Sequence, residues 1–587
     1  MCVRVLLVGS QAPELRPSRM HKQPMWLNAT LYIGSLSSYT GSKGLSFFVF
    51  ILCLPFLFVA CGNGLDSGTS TTSPPATSAT LTITRTGMDK GTAPSTSSAG
   101  ITCGTEGSCG FDAPTETSIS LIDTPDTNNS FSSWGGACTG TTPGCIFTLT
   151  TTSTVTATDN LSPTPVTQYP LMVGPTSRYL VDQNGKPFLL VGDAAWSMIA
   201  ALSDSDADFY LEDRRQRGFT AVLVNLIEHA FTANPPQDFY RLSPFTGQTF
   251  TTPNETYFAH VDHILKSAAA KGIVVLLDPL YLGFSCGSQG WCAEVKLATT
   301  SQMTTWGQYL GNRYANYDNI VWVIGGDTDP TPVKLQVQAM VDGIRSRDAR
   351  HLFTAHNARG VMAITPWIGA GWLNVNNTYT GSIDYQQALT AYAISPAIPF
   401  FLIESKYENE GPNAQMLRAQ SYWTVLGGGF GHVFGNCPIW GFGFTTKFCA
   451  STDWKAQLNS VGSVNMQHFQ ALFNSRHWHT LVSDTRHAVL TGGYGSFGGS
   501  DYATAAYAAD GSSIFAYLPS ARTVTVDSSS LAGSAIHAWW YNPGNGVATQ
   551  IGTNLAAGTQ TFLPPTSGDW VLVLDSANFS FPPPGSN

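Results

Sequence analysis

Two acids, each at the end of an apolar run, are the residues best placed to do chemistry. The first run, Ile320-Val321-Trp322-Val323-Ile324, is mostly β-branched or aromatic and reads as a strand buried on both faces. It ends in Gly325-Gly326, where the backbone can turn sharply, and then presents Asp327 and, two residues further on, Asp329. The second run, Phe400-Phe401-Leu402-Ile403, is followed by Glu404. Two carboxyls at the ends of two parallel strands can serve as acid and nucleophile in breaking a glycosidic bond. An isolated strand-end acid more often caps a helix or forms an ion pair, so the pair takes its meaning from the elements around it.

Those elements alternate. Met303, Trp306, Leu310 and Tyr314 recur at three- and four-residue steps and predict one apolar helix face before the first run. Helix, short turn, buried strand, then an acid at the strand's carboxyl end is how a (β/α)8 barrel presents a catalytic residue. The sequence predicts eight such strands, near 188–193, 221–227, 274–280, 320–326, 352–357, 372–378, 400–404 and 429–435. Ser203-Asp204-Ser205-Asp206 opens a helix that Gly218 closes, and Ala268-Ala269-Ala270-Lys271-Gly272 closes the next. Tyr179 to Pro187 also reads as strand, turn, strand, so the first strand has a β-hairpin cover as its alternative. The fold class is therefore α/β: a (β/α)8 TIM barrel with a small all-β module before it and a β-sandwich after it.

At 587 residues the chain is too long for one domain, and length alone suggests roughly three or four. Charged residues make up 11% and the net charge is -9, with no Lys/Arg block to neutralise phosphates, so nucleic acid is excluded as a partner. Of the 11 cysteines, Cys2 and Cys53 lie in the leader and Cys61 at its end. The others form close pairs, Cys103/Cys109, Cys138/Cys145, Cys286/Cys292 and Cys437/Cys449, and read as disulfides of an oxidising compartment. Zinc is the competing reading, but no C-x2-C occurs and no His completes a tetrahedral set. His477-Trp478-His479 is read as structural, and neither a metal nor a cofactor is expected.

In chain order, residues 1–62 hold a leader whose apolar run Leu45–Ala60 follows Lys43, as in a signal peptide. Its end, Phe58-Val59-Ala60-Cys61-Gly62, resembles a bacterial lipoprotein processing site. Lipidation at Cys61 would anchor the chain to a membrane; free secretion and an uncleaved anchor helix are the alternatives. Residues 63–78 form a Gly/Ser/Thr tether, and 79–160 a small all-β module with two disulfides. Ala99-Gly100-Ile101-Thr102-Cys103-Gly104 and Phe131-Ser132-Ser133-Trp134-Gly135-Gly136-Ala137-Cys138 resemble internalin-type surface repeats, which implies a spacer or adhesive module. The barrel follows at 168–478, and strand-like segments without helices fill 484–578.

The segment Gly185–Trp196 resembles the opening of the apiosidase-like glycoside hydrolases. So do Arg214–Phe219, Gly325-Gly326-Asp327, Glu404-Ser405-Lys406-Tyr407-Glu408, and Gly431–Asn436 with Trp440. The likeness covers about 168–475. The ending Phe562-Leu563-Pro564-Pro565 and Asp569–Leu574 resembles the β-sandwich that follows this domain, known in the family as collagen-binding. The resemblance implies a retaining mechanism with the acid/base after strand four and the nucleophile after strand seven, here Asp327 and Glu404, with Asp329 the rival of Asp327.

Polar and aromatic strand-end residues complete a sugar pocket, in which ring faces stack on C–H groups and amides or acids bind hydroxyls. The candidates are Asp193 and Trp196, Asn225 and His229, Asp278, His356 and Asn357, Asn376, Asn377 and Tyr379, and His432, Asn436 and Trp440. Asn376-Asn377-Thr378-Tyr379 departs from the family's usual sixth-strand wording. The rim disulfides are expected to staple the loops after strands three and eight. Together these features point to a glycosidase acting outside the cytoplasm on a polysaccharide, with apiose-containing pectic side chains as one candidate. The rival is a non-catalytic surface adhesin binding glycan or collagen.

Overall fold

Eight parallel strands occupy the middle of the chain in the computed structural model, which describes residues 78–86, 95–96, 108–122, 129–140, 144–161, 167–381, 383–444, 449 and 453–586. They are Leu190–Ala194, Ala221–Asn225, Val274–Asp278, Ile320–Gly325, Phe353–His356, Asn376–Tyr379, Phe400–Glu404 and Gly431–Phe434, here numbered one to eight. Their order around the sheet is 5-4-3-2-1-8-7-6, so the predicted barrel is present. The hairpin reading holds alongside it: Leu180–Val181 pairs with Pro187–Phe188 as a separate small sheet, and strand one begins two residues later.

Between strands five and six there is no regular ladder. Asn374 and Asn377 span that seam instead. Asn377 Nδ2 donates to Ala355 O at 2.7 Å and Thr354 Oγ1 at 2.9 Å, while Asn374 Oδ1 accepts from Phe353 N–H at 3.0 Å.

Side-chain alternation sorts the strands into two cores. Val222, Val224, Val275, Leu277, Trp322 and Ile324 face outward and pack against the helices. Leu223, Val274, Leu276, Val321, Val323 and Ile403 fill the barrel interior. Helix Asp204–Gln216 begins at Ser203, whose hydroxyl accepts from Asp206 N–H as the sequence predicts. Helix Thr300–Tyr314 begins with a capping box of Thr299 and Gln302, and it buries Met303, Trp306, Leu310 and Tyr314.

The C-terminal region is antiparallel throughout. A six-stranded sheet packs on a three-stranded one through Ile514, Ala516, Leu518, Leu572 and Leu574. The alternate residues of the same strands, Phe515, Tyr517, Val571 and Val573, belong to the barrel-side core with Tyr422 and Phe473. Tyr422 stacks on Tyr517 at 4.9 Å, and two forked ion pairs, Arg418–Asp569 and Arg476–Asp575, cross the junction. The central strands Ser513–Leu518 and Trp570–Ser576 are thus covered on both faces, while the edge strand Ala548–Ala556 stays open to solvent. His477 serves this junction too: its Nδ1 lies 2.6 Å from Asp510 Oδ2, and its ring packs edge-on against Phe579 and Phe581.

Residues 78–161 include two small sheets, one of four strands and one of three. Disulfides join Cys138–Cys145, Cys286–Cys292 and Cys437–Cys449, as expected, and Cys109 is disulfide-bonded. The leader, Cys61, Cys103 and the Ala99–Gly104 phrase lie outside the described residues. Among the described residues no helix is long and apolar enough to cross a membrane.

Candidate active site

Asp327 follows two glycines in left-handed backbone, Gly325 (φ 109°) and Gly326 (φ 107°), and is itself at φ 56°. Gly326 has no substitute here, because a Cβ would sit 2.3 Å from the ring of Tyr281. That close approach lets the Tyr281 hydroxyl reach Asp327 Oδ2 at 3.2 Å. Glu404 is aimed by a different device. Tyr379 pairs with Glu404 while Thr378 pairs with Leu402, so Ile403 is an extra residue in strand seven. Such a bulge redirects the side chain that follows it.

The two acids meet at Tyr379. Its hydroxyl lies 2.9 Å from Asp327 Oδ1 and 3.2 Å from Glu404 Oε1. A phenol has one proton, so it donates to one carboxylate at a time. Burial, followed by the charges of Glu404 and Asp327, pushes Tyr379 far above the ordinary phenol range and keeps that proton in place. Tyr281 is raised in the same way by burial and then by Asp327. On the other side of Glu404, His356 Nε2 lies 3.0 Å from Oε2. Burial opposes charge on this imidazole, but contact with Glu404 and the charges of Glu404 and Asp327 outweigh it and raise His356 above its usual value.

Aromatic rings surround the acids. Trp196 packs edge-on against Tyr281 at 5.0 Å and lies 6.4 Å from His356, whose ring is 5.1 Å from Tyr379. Phe231 joins Tyr281 to Trp440 at 6.1 and 5.4 Å, and Trp440 Nε1 donates to Glu410 at 3.2 Å. Beside Glu404 opens a cleft of about 350 Å³, lined by Arg359, Ser405, Lys406, Tyr407, Glu410 and Met416 among others. Arg359 also covers the Tyr379 ring, 5.4 Å from its centre.

The structure brings together Asp327, Glu404, His356, Tyr379, Trp196 and Trp440. Asn225 and Asp278 end neighbouring strands and pair in register. Neither Asn225 side-chain atom is bonded, and one oxygen of Asp278 is free, although both residues are buried. Burial holds the Asp278 carboxyl well above the carboxylate range. His229 turns toward the rim, against Trp291 at 4.7 Å and 3.3 Å from Glu294.

Several other candidates are occupied elsewhere. Asp193 points away from the mouth into a fully buried pair with Arg214 at 3.1 Å, with Tyr210 donating at 2.7 Å. His432 lies behind strand eight beside Ser421 Oγ at 2.8 Å, and burial pushes it down to about 3. Asn376 and Asn357 bind the loop before strand six, at Ile364 N–H and at the Met362 and Ala363 carbonyls. Asn377 spans the barrel seam described above. Asn436 donates to Glu408 at 2.7 Å, which fixes the loop after strand seven. Asp329 is exposed and accepts from Thr331 N–H and Oγ1, a local turn that holds it below the usual range.

Sequence reading missed Tyr281, Arg359, Phe231 and Glu228. Glu228 is buried, and one of its oxygens accepts from the backbone N–H groups of His229, Ala230 and Phe231. All four sit in or border loops, where no periodicity marks them.

The family profile described as "Apiosidase-like, catalytic domain" matches residues 175–480, more than half of the chain, and "Putative collagen-binding domain of a collagenase" matches 496–575. No curated protein matches. Among solved structures, one titled "Glycoside hydrolase" aligns with TM-score 0.63 at 23% identity, over 70% of this chain and 98% of its own. A family 5 glycoside hydrolase from Bacteroides vulgatus aligns with TM-score 0.64 at 24% identity, over 71% of this chain and 96% of its own. The profile match spanning the whole barrel, with the two acids at the ends of its fourth and seventh strands, places this chain in the apiosidase-like family of glycan-cleaving hydrolases.

Proposed function

We propose that the chain is a retaining glycosidase in which Glu404 is the nucleophile and Asp327 the acid/base. The observation that carries this reading is the shared contact of Tyr379 with both carboxylates, at 2.9 and 3.2 Å. Two acceptors at ordinary angles about one phenol oxygen lie about 5 Å apart, the separation that suits double displacement and leaves no room for an intervening water. In the first step Glu404 attacks the anomeric carbon while Asp327 gives its proton to the departing oxygen. In the second step Asp327 takes a proton from water as that water displaces Glu404. His356 in its charged form and the Tyr379 proton stabilise the Glu404 carboxylate before attack.

The cleft beside Glu404 supports a pectic substrate. Arg359 and Lys406 line it, and cations suit a glycan bearing carboxylates, while the aromatic ring suits sugar C–H faces. Apiose-containing side chains of pectin are the substrate proposed. The three described disulfides support an exported protein, anchored at Cys61 or secreted, with the N-terminal β-module as spacer.

Sugar release from pectic polysaccharides, followed by proton NMR of the first-formed anomer, tests the reading. Retained configuration is expected. Glu404→Ala should lose all turnover. Asp327→Ala should keep the first step on an activated aryl glycoside and yield a retained glycosyl azide when azide is added. Inverted product, or an active Glu404→Ala enzyme, overturns the assignment.

A further inference from the structure

We propose that the disulfide-closed loop Tyr281–Cys292 holds the catalytic carboxyl of Asp327 in place, with Cys286, Cys292 and Ser285 as positioning residues. The proposal rests on the role of Asp327 given above.

The loop touches Asp327 at two points. The Tyr281 hydroxyl reaches Oδ2 at 3.2 Å, and the Ser285 N–H donates to the Asp327 main-chain carbonyl at 3.2 Å. One contact fixes the carboxyl and the other fixes the backbone behind it. Glu404 has neither contact; its neighbours are Tyr379 and His356.

Three non-glycine residues at this junction have left-handed backbone: Asp327 at φ 56°, Ser285 at φ 52° and Cys286 at φ 58°. Each such conformation is disfavoured and persists only where its surroundings over-determine it. The surroundings here are the loop's own closure. Trp291 N–H donates to Tyr281 O at 2.8 Å, and Leu282 N–H donates to Gly325 O at 2.9 Å. Gly290 packs so tightly on the opposite limb that a Cβ would lie 2.3 Å from Gly283 N. The Cys286–Cys292 bond then ties the strained pair to Cys292, a fully buried residue at the start of helix Cys292–Leu297. Without that bond, Ser285 and Cys286 are free to return to right-handed backbone. The Ser285 N–H then leaves Asp327, whose own strained conformation loses a support.

Amide hydrogen exchange read by mass spectrometry tests this on the full chain without reference to any substrate. In the double variant Cys286→Ser/Cys292→Ser, peptides covering Gly325–Asp329 should exchange about tenfold faster, while peptides covering Phe400–Glu404 stay unchanged. The double variant Cys437→Ser/Cys449→Ser should leave Gly325–Asp329 as in the parent. If the first variant exchanges faster everywhere, it has failed to fold, and Gly290→Ala decides: it forces the limbs apart with the disulfide intact and should loosen the same segment alone. An unchanged Gly325–Asp329 segment in the folded disulfide variant, or in Gly290→Ala, overturns the proposal.

The same proteins assayed with 4-nitrophenyl and methyl apiosides separate the two claims. Positioning of a true acid/base predicts that kcat/KM falls about tenfold more for the methyl than for the 4-nitrophenyl compound. Faster exchange at Asp327 without that difference, or with no cleavage of either compound by the parent, sustains the positioning role and refutes the reading of function on which it was built.

Discussion

His356 Nε2 lies 3.0 Å from Glu404 Oε2, and the imidazole is almost wholly buried. Burial opposes its charge, yet Glu404 and Asp327 raise it above the ordinary histidine value. The charged form therefore exists below that raised value and is lost as pH rises through it, and its stabilising effect is lost over the same range. An alkaline limb in kcat/KM is expected to follow this loss. His356→Asn should move the limb to the one set by the proton of the acid Asp327 and lower activity at acidic and neutral pH; a variant whose limb does not move would assign it to another group.

Tyr379→Phe removes the proton shared between the two acids and leaves the ring in place. A fall of about 10- to 100-fold in kcat is expected, with a smaller change in KM and a stability loss of about 1 kcal/mol. Tyr281→Phe touches Asp327 alone, so its loss should be smaller and confined to substrates with poor leaving groups. Steady-state kinetics on paired substrates reads both.

The fully buried Arg214–Asp193 pair is predicted to be structural. Arg214→Met leaves buried Asp193 without its cation, with the Tyr210 hydroxyl still donating, and should destabilise the chain by about 3–5 kcal/mol in denaturant unfolding. The ratio of activities on good and poor leaving groups should not change. A selective kinetic effect would instead connect Asp193 to the mouth.

Asp348 gives a pH dependence of opposite sign. Burial works against its charge, but His351 at 2.6 Å, Trp322 Nε1 at 2.9 Å and two backbone N–H groups hold it at about 2. Its contribution is present above the ordinary Asp value and is lost as pH falls through about 2. Asp348→Asn should therefore cost about 2 kcal/mol near neutrality, with the gap to the parent shrinking as pH approaches 2. Urea unfolding across that range measures it. Trp322 lies on the strand that carries Asp327, so the same substitution loosens the rear of that strand.

The strands were legible because their apolar runs are short, β-branched and closed by turns, and the two acids were legible as interruptions at the ends of those runs. Position at a strand end does not fix direction, however. Asn225, Asp278 and His356 fall on the inward parity of their strands, whereas Asp193 and His432 fall one residue out of phase and turn to the helices. Reading that parity requires the register between strands, which pairs Asn225 with Asp278 and Asp193 with Val222 and Phe434. Glu404 escapes its parity only through the extra residue Ile403, a feature of pairing and not of composition. Asn376 and Asn377 look like sugar ligands because amides suit hydroxyls, but Asn377 donates across the missing ladder between strands five and six, and Asn376 accepts from Ile364 N–H in the loop before strand six. Tyr281 and Arg359 sit in loops whose course depends on contacts distant in sequence.

The central strands of the six-stranded sheet, with neither face bare, constrain how this gene can be rearranged. Tyr517 and Phe515 are as much a part of the barrel's wrapping as of the sandwich, with Tyr422 and Phe473 pressed against them. A recombination that carried the barrel to a new neighbour without this sheet would strip an aromatic surface and leave Arg418 and Arg476 without their acids. Parting the barrel from the sandwich therefore exposes apolar area and unpairs charge on both sides of the cut, and the shared aromatic core holds the sandwich at a fixed bearing to the barrel.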